Sequence, residues 1–279
     1  MSRHHQPRKR FGQNFLRDQT IIGKIIAAIG VSRDDHVVEI GPGTGALTEH
    51  LIMLCDHLRA LELDRDLGAR LSARFAEDSR LEVISGDALK TDFGEFYTGT
   101  SLRLVGNLPY NISTPLIFHV LRQRHLIKDM HFMLQREVVD RLAASPSTKD
   151  YGRLSVMVQY HCRVLPLIPV PPTAFVPAPK VQSAFVRLVP YSQPETPVED
   201  EVLLSQLVSV CFQQRRKTLR NCLRGITSMI SELGSVADLN LRPEQLSVME
   251  YVLLCNRLSQ LNKRHASSTV DTGQGHKSI

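Results

Sequence analysis

The residues with the most specific chemistry in the chain are Asn107-Leu-Pro-Tyr110. An amino group on an aromatic base, such as N6 of adenine, is a poor nucleophile because its lone pair is delocalised into the ring. Two fixed carbonyl groups that accept both amino hydrogens favour a tetrahedral nitrogen whose lone pair is available. The side-chain carbonyl of Asn107 and the backbone carbonyl of Leu108 suit those parts. Pro109 stiffens the turn and holds Leu108 extended, and Tyr110 offers a face on which an unpaired base can stack. The tetrapeptide also reads as an asparagine-capped proline turn. What favours the chemical reading is its place after three other polar signals.

Those signals are a glycine loop and two carboxylates. In Glu39-Ile-Gly-Pro-Gly-Thr-Gly-Ala46, Gly41, Gly43 and Ala46 satisfy the dinucleotide pattern G-x-G-x-x-G/A. Glu62 lies where an acid accepts hydrogen bonds from ribose hydroxyls. A nicotinamide dinucleotide and S-adenosyl-L-methionine both satisfy this much. Two features favour the sulfonium compound. It has no pyrophosphate, so Glu39 directly ahead of the loop is tolerable. Asp87, in Gly86-Asp-Ala88, supplies a carboxylate to which an adenine amino group can donate. Displacement at a sulfonium methyl needs alignment more than a strong base.

The elements that must hold these residues follow from periodicity. Ile21, Ile22, Ile25, Ile26 and Ile29 recur at helical spacing, with Asp18 as cap and Gly30 as stop. Short apolar runs at 36–40, 58–63, 81–85, 102–105 and 130–134 read as strands, with helical patterns at 46–53, 66–75 and 115–124 between them. Such alternation predicts an α/β fold, a mainly parallel sheet covered on both faces. Gly41, Glu62, Asp87 and Asn107 each fall at or just past the carboxyl end of a strand, where such sheets bind ligands. From 151 the pattern gives a further helix, then a proline-rich connection, PLIPVPPTAFVPAPK, then a strand at 181–189. The stretch YSQPETPVE reads as a linker. The expected division is a catalytic domain over 1–190, a small all-helical domain over 199–263 and a disordered polar tail over 264–279.

The chain of 279 residues has a net charge of +6. Arg3, Arg8, Lys9, Arg10 and Arg17 cluster near its start, and Arg215, Arg216, Lys217, Arg220 and Arg224 much later. Two basic clusters flanking a cofactor centre make an electrostatic footprint for nucleic acid; two solvated faces are the plainer reading. On one helix, Arg216, Arg220 and Arg224 would share a face and contact phosphates rather than read sequence. No run of about 18 apolar residues marks a transmembrane helix, and the start lacks the apolar stretch of a secretory signal. The cytoplasm is the expected location. Cys55, Cys162, Cys211, Cys222 and Cys255 are scattered, with no C-x-x-C or H-E-x-x-H, so buried free thiols are expected rather than a zinc site or a disulfide framework.

With these motifs in hand, the chain resembles the bacterial small-subunit rRNA adenine-N6,N6-dimethyltransferase family from Arg8 to about Leu261. The resemblance rests on RKRFGQNFL (Arg8–Leu16), EIGPGTGALT, ELDRDL, GDAL and GNLPYNISTPL. It continues through MLQREVVDRL, YGRLSVM, VPPTAFVPAPKVQSAFVRLVP and FQQRRKTLRN. It implies a Rossmann-like class I methyltransferase sheet with a small C-terminal all-helical domain. Asn14, Leu16, Gly41, Glu62, Asp87 and Asn107 would hold S-adenosyl-L-methionine, with S-adenosylhomocysteine as product. Asn107, Leu108, Pro109 and Tyr110 would hold the target adenine. Phe175 would be a second aromatic wall, although it reads equally as a core aromatic. Arg8, Lys9, Arg10, Arg215, Arg216, Lys217 and Arg220 would contact RNA. The implied reaction, by a monomer without a metal, places two methyl groups on each of two adjacent adenosines. These lie in the 3′-terminal hairpin of 16S rRNA, in a late pre-30S subunit.

Three other readings stand beside this one. The 23S rRNA adenine N6-methyltransferase of the macrolide-resistance type shares NLPY; the LQREV, YGRLSVM and PPTAFVPAPKV stretches argue for the small subunit. A non-catalytic RNA-binding maturation factor would keep the fold without needing an intact Glu62, Asp87 and NLPY set. A nicotinamide oxidoreductase would leave NLPY unexplained.

Overall fold

The computed structural model describes residues 14–271. They divide into two compact units. One runs to Ala143 and resumes at Cys162–Ser192; the other comprises Ala144–His161 and the chain from Gln193.

The first unit contains, in chain order, β1 (Phe15–Leu16), α1 (Gln19–Ile29), β2 (His36–Ile40), α2 (Thr48–Leu51), β3 (His57–Glu62), α3 (Arg65–Arg74) and β4 (Leu81–Ser85). There follow β5 (Leu102–Asn107), α4 (Ser113–Leu121), β6 (Ile127–Gln135), α5 (Arg136–Leu142), β7 (Cys162–Val170), β8 (Phe175–Val176) and β9 (Ser183–Pro190). One sheet has the order β4-β3-β2-β5-β6-β9-β7, and β1 pairs with β8 in a separate two-stranded ribbon. The strands from β4 to β6 are parallel, and β9 and β7 add antiparallel pairs. The five runs expected as parallel strands are the ones found. Strand order reverses between β2 and β5, which opens a crevice beyond their carboxyl ends.

Local chemistry sets these elements. Asp18 accepts from the N–H groups of Thr20 (2.9 Å) and Ile21 (3.1 Å), and α1 ends where Gly30 turns left-handed at φ +59°. Ile21, Ile22, Ile25 and Ile29 are buried against β2 and its neighbours, and Ile26 is half-buried beside them. The proline-rich connection differs from the sequence reading, because its first part is the strand β7. Pro166 and Pro169 are accommodated because β7 is at the sheet edge and its register shifts between Pro166 and Ile168. At an edge or a bulge, a missing N–H breaks no ladder.

At the opposite end of the sheet from the crevice, Arg103 is buried near the start of β5. Its Nε and one terminal nitrogen grip Asp129 (2.9 and 3.0 Å). The terminal nitrogens also reach Asp35 (2.9 Å) and the carbonyls of Ile29 (2.7 Å) and Gly30 (2.9 Å). Every guanidinium N–H is used. Asp35 and Asp129 are both held below the usual carboxylate range, their hydrogen bonds to Lys128, Ser32 and Arg103 outweighing burial.

The second unit is helical: α6 (Arg153–His161), α7 (Glu201–Gln213), α8 (Leu219–Leu223), α9 (Ile230–Leu233) and α10 (Val248–Asp271). Sequence spacing alone places α6 with the sheet, but its packing partners are α7 and α10. Tyr151, just ahead of it, meets Phe212, which in turn meets Tyr251, with ring centroids 6.1 and 6.0 Å apart. The helix α10 continues to Asp271, past the point where the sequence reads as disordered. Adding turns to an established helix is cheap compared with nucleating one. Residues 272–279 lie outside the described residues.

Candidate functional site

A cleft of about 340 Å³ opens at the carboxyl ends of β2 to β5. All six residues assigned by sequence to the cofactor line it, as do Leu108, Pro109 and Tyr110.

The floor is the loop after β2. Gly43 has φ +59°, and a Cβ there would lie 3.1 Å from Cε1 of Phe15, so only glycine suits the position. Glu62, at the end of β3, fastens this loop: its two oxygens accept from the N–H groups of Gly43 (3.0 Å) and Asp64 (2.9 Å). Burial nevertheless pushes its carboxyl above the usual range. Glu39 is 2% exposed and accepts from the Thr48 hydroxyl at 2.6 Å. Burial pushes its carboxyl up to about 7, aided by the nearby charge of Glu62 and opposed by Thr48. Glu39 therefore joins β2 to the first residue of α2.

The Glu62 arrangement carries a prediction. In Glu62→Gln the amide cannot accept at both positions, so an NH2 must face either the Gly43 or the Asp64 N–H. A buried donor without a partner costs about 1–3 kcal/mol. S-adenosylhomocysteine should then bind about 10- to 100-fold more weakly by calorimetry, with a lower melting temperature. Wild-type affinity in the variant would refute the clamp.

The wall opposite is built from the start of the described chain and the turn after β5. The Asn107 side-chain nitrogen donates to the Asn14 carbonyl at 2.9 Å, which turns its amide oxygen the other way. In the β1–β8 ribbon, Leu16 faces Phe175 and Phe15 faces Val176. Directly opposed residues share a face, so Leu16 and Phe175 go into the core while Phe15 covers Gly43. Phe175 is 2% exposed, belongs to the core with Leu16, Ala174 and Phe185, and does not line the cleft. The structure therefore buries Phe175, expected as a second aromatic wall for the base, in the core, and the aromatic that this ribbon presents to the cleft is Phe15. The sequence signal for it was present in Asn14-Phe-Leu16, as the residue between two assigned ones.

Tyr110 is held at both ends. Its carbonyl accepts from Ser113 Oγ (3.0 Å), and its phenol lies 2.7 Å from the Ser183 hydroxyl. Ser183 was not legible as a site residue. On the far side, Asp87 Oδ1 accepts from the Leu89 N–H at 3.0 Å, which fixes the carboxylate at the cleft edge.

The sequence profile of ribosomal RNA adenine dimethylases matches residues 4–259. A Pseudomonas aeruginosa protein named ribosomal RNA small subunit methyltransferase A is 52% identical over 258 residues, 92% of this chain and 96% of the relative. The chain belongs to the ribosomal RNA adenine dimethylase family. A Haemophilus influenzae protein of the same name is 51% identical, covering 91% of each chain. Among solved structures, a dimethyladenosine transferase from Plasmodium falciparum aligns with a TM-score of 0.76 at 26% identity, over 90% of this chain and 98% of that one. A 23S rRNA methyltransferase, ErmE, aligns at 0.69 and 24% identity, over 88% and 100%. The latter shares the fold.

In this member of the ribosomal RNA adenine dimethylase family, the later basic cluster is laid out differently from the sequence reading. The sequence puts Arg216, Arg220 and Arg224 on one helix. In the structure α7 stops at Gln213, and Arg215 to Lys217 form a turn closed by Lys217 N–H to Gln214 O (2.8 Å) before α8 begins at Leu219. Arg215 is committed within its own unit, donating to the carbonyls of Thr148 (3.1 Å) and Lys149 (2.9 Å) and pairing with Glu244. Arg216, Lys217, Arg220 and Arg224 are exposed. Arg8, Lys9 and Arg10 lie outside the described residues. Among the described residues no helix is long and apolar enough to cross a membrane.

Proposed function

We propose that this protein transfers methyl groups from S-adenosyl-L-methionine to N6 of adenine in 16S rRNA. The product would be N6,N6-dimethyladenosine at two adjacent positions of the 3′-terminal hairpin, made in a late pre-30S subunit. The observation that carries the reading is the presence of Asn107-Leu-Pro-Tyr110 in the lining of the cleft, with the Asn107 nitrogen committed to Asn14, so that its oxygen would be left to accept. The small-subunit substrate is supported by the near full-length relatives.

When bound, S-adenosyl-L-methionine supplies an electrophilic methyl group on a positively charged sulfur. The lining fits a cation: among the described residues it includes Glu39, Glu62, Asp64 and Asp87 and neither lysine nor arginine. Asn14, Leu16, Gly41, Glu62, Asp87 and Asn107 would hold it. Asn107 Oδ1 and the Leu108 carbonyl would accept the amino hydrogens, their dipoles directed at the nitrogen as positive charge develops there. Tyr110 would stack on the base, with Phe15 on the cofactor side. One proton leaves the nitrogen for solvent in each transfer. Arg216, Lys217 and Arg220 would meet RNA phosphates, together with Arg8, Lys9 and Arg10 of the leading segment; Arg215 would serve them by holding the loop at Thr148. The monomer would act in the cytoplasm.

The test is incubation with labelled S-adenosyl-L-methionine and small subunits that lack the modification, followed by nucleoside analysis of the digested RNA. Dimethyladenosine near the 3′ end of 16S rRNA is expected. Label appearing only on free large-subunit RNA would transfer the assignment to the 23S type. Cofactor binding without transfer to either RNA would leave a maturation factor.

A further inference from the structure

We propose that Ser183 is a positioning residue that fixes the stacking face of Tyr110, and that it governs the second methyl transfer to an adenine more than the first; this rests on the function proposed above.

Ser183 opens β9, where its backbone is paired on both sides, with Gln135 of β6 and Val170 of β7. It is 0% exposed, and the residues after it, Ala184, Phe185 and Val186, are buried and apolar. A hydroxyl in such a place needs a partner, because burying it unpaired is costly. Its partner is the Tyr110 phenol, 73 residues away in sequence and 2.7 Å away in space. Burial pushes the phenol above its usual range, so it remains a neutral hydroxyl that can share a proton with Ser183.

The ring is thereby held at its tip as well as its root. At the root, Ile112 N–H closes the turn onto Pro109 O (3.1 Å) and Ser113 Oγ donates to Tyr110 O (3.0 Å). Without the tip, the ring could swing about its side-chain torsions, and the plane offered to a base would no longer be fixed relative to Asn107.

The two transfers depend on that plane unequally. An unmethylated amino group presents two hydrogens to two carbonyl acceptors, Asn107 Oδ1 and Leu108 O, which orient the nitrogen by themselves. Each transfer forms one N–C bond, breaks the methyl–sulfur bond with its electron pair left on sulfur, and releases one proton from nitrogen to solvent. After the first transfer a single hydrogen remains, so one hydrogen bond remains. The stacking face must then supply the rest of the alignment.

The experiment follows mono- and dimethyladenosine over time in unmethylated small subunits, at saturating S-adenosyl-L-methionine. Ser183→Ala should slow the second transfer about five- to tenfold, the worth of one neutral hydrogen bond. The first transfer should change less than about twofold, so monomethyladenosine accumulates. Tyr110→Phe removes the same bond without touching β9 and should accumulate the same product; it carries the comparison if Ser183→Ala fails to fold. The double variant should be no worse than either single one, and Ser183→Thr should restore dimethylation. Equal slowing of both transfers, or an unchanged ratio in both single variants, overturns the role of Ser183 alone. A wild type that methylates no adenosine overturns the proposed function and this role together.

Discussion

Asn107→Ala should lower the single-turnover rate of methyl transfer about 10²- to 10³-fold, the usual cost of removing one fixed dipole aimed at developing charge. The side chain has two occupations. Its nitrogen holds the Asn14 carbonyl at 2.9 Å, and its oxygen, in the proposed reaction, would accept an amino hydrogen of the base. Alanine removes both, so affinity for S-adenosylhomocysteine should also fall, by about tenfold at most. Asn107→Asp separates the two. A carboxylate can still accept an amino hydrogen, but it sets an oxygen against the Asn14 carbonyl, so cofactor binding should suffer more than in alanine and transfer less. Rapid-quench rates at saturating cofactor, beside calorimetry, distinguish these effects. A wild-type single-turnover rate in Asn107→Ala would remove Asn107 from the chemistry.

A second large effect is expected one residue earlier. A Cβ on Gly106 would lie 2.6 Å from the Ile40 carbonyl oxygen and 2.9 Å from Leu108 Cδ2. The Ile40 carbonyl has little freedom to retreat, since β2 is paired on both sides and Gly41 N–H donates to Leu61 O at 2.9 Å. In Gly106→Ala the end of β5 must therefore move, and Asn107 with it. Displacement of a positioning group by about 1 Å costs about 10²-fold in rate, and the overpacking adds about 1–3 kcal/mol of instability. Gly23→Ala is the control, because nothing lies within 4 Å of its Cβ position and it occupies an exposed helix position. It should keep full activity and gain up to about 1 kcal/mol. Equal turnover in the two variants would show that the close approach does not position the site.

Much of this was legible because it is local. Asp18 and Gly30 bound α1 through neighbours in sequence, and the glycine loop, Glu62, Asp87 and Asn107 follow strands whose apolar runs announce them. Residues whose role depends on a distant partner were not legible. Ser183 is an ordinary serine until Tyr110 is known to lie against it. Arg215 reads as one more cation of a basic run, and only the fold brings it to Thr148 and Lys149. Arg103 sits in an apolar strand and gives no sign that Asp129 and Asp35, 26 and 68 residues away, will surround it. Phe175 reads equally as cleft wall or core aromatic in the sequence, because a two-residue ribbon is too short to show which face of it is inward. The layout of Arg216 and Arg220 turned on where α7 stops, and helix ends carry the weakest sequence signal.

The saturated Arg103 guanidinium has a consequence for how the sheet opens. It joins the end of α1 to β5 and, through Asp129, to β6, while Asp129 also receives Arg187 of β9 at 2.7 Å. Local unfolding that frees any one of these segments must strip a buried cation of its acceptors, so they are held to open together. Among the described residues, the loops at the other end are fastened by separate bonds, such as Glu62 to the Gly43 N–H and Tyr110 to Ser183, and one of them can open without stripping a buried cation. In amide hydrogen exchange the protein should thus behave as a slow cooperative block beneath a fast rim. Ligand binding would slow the rim without needing to disturb the block.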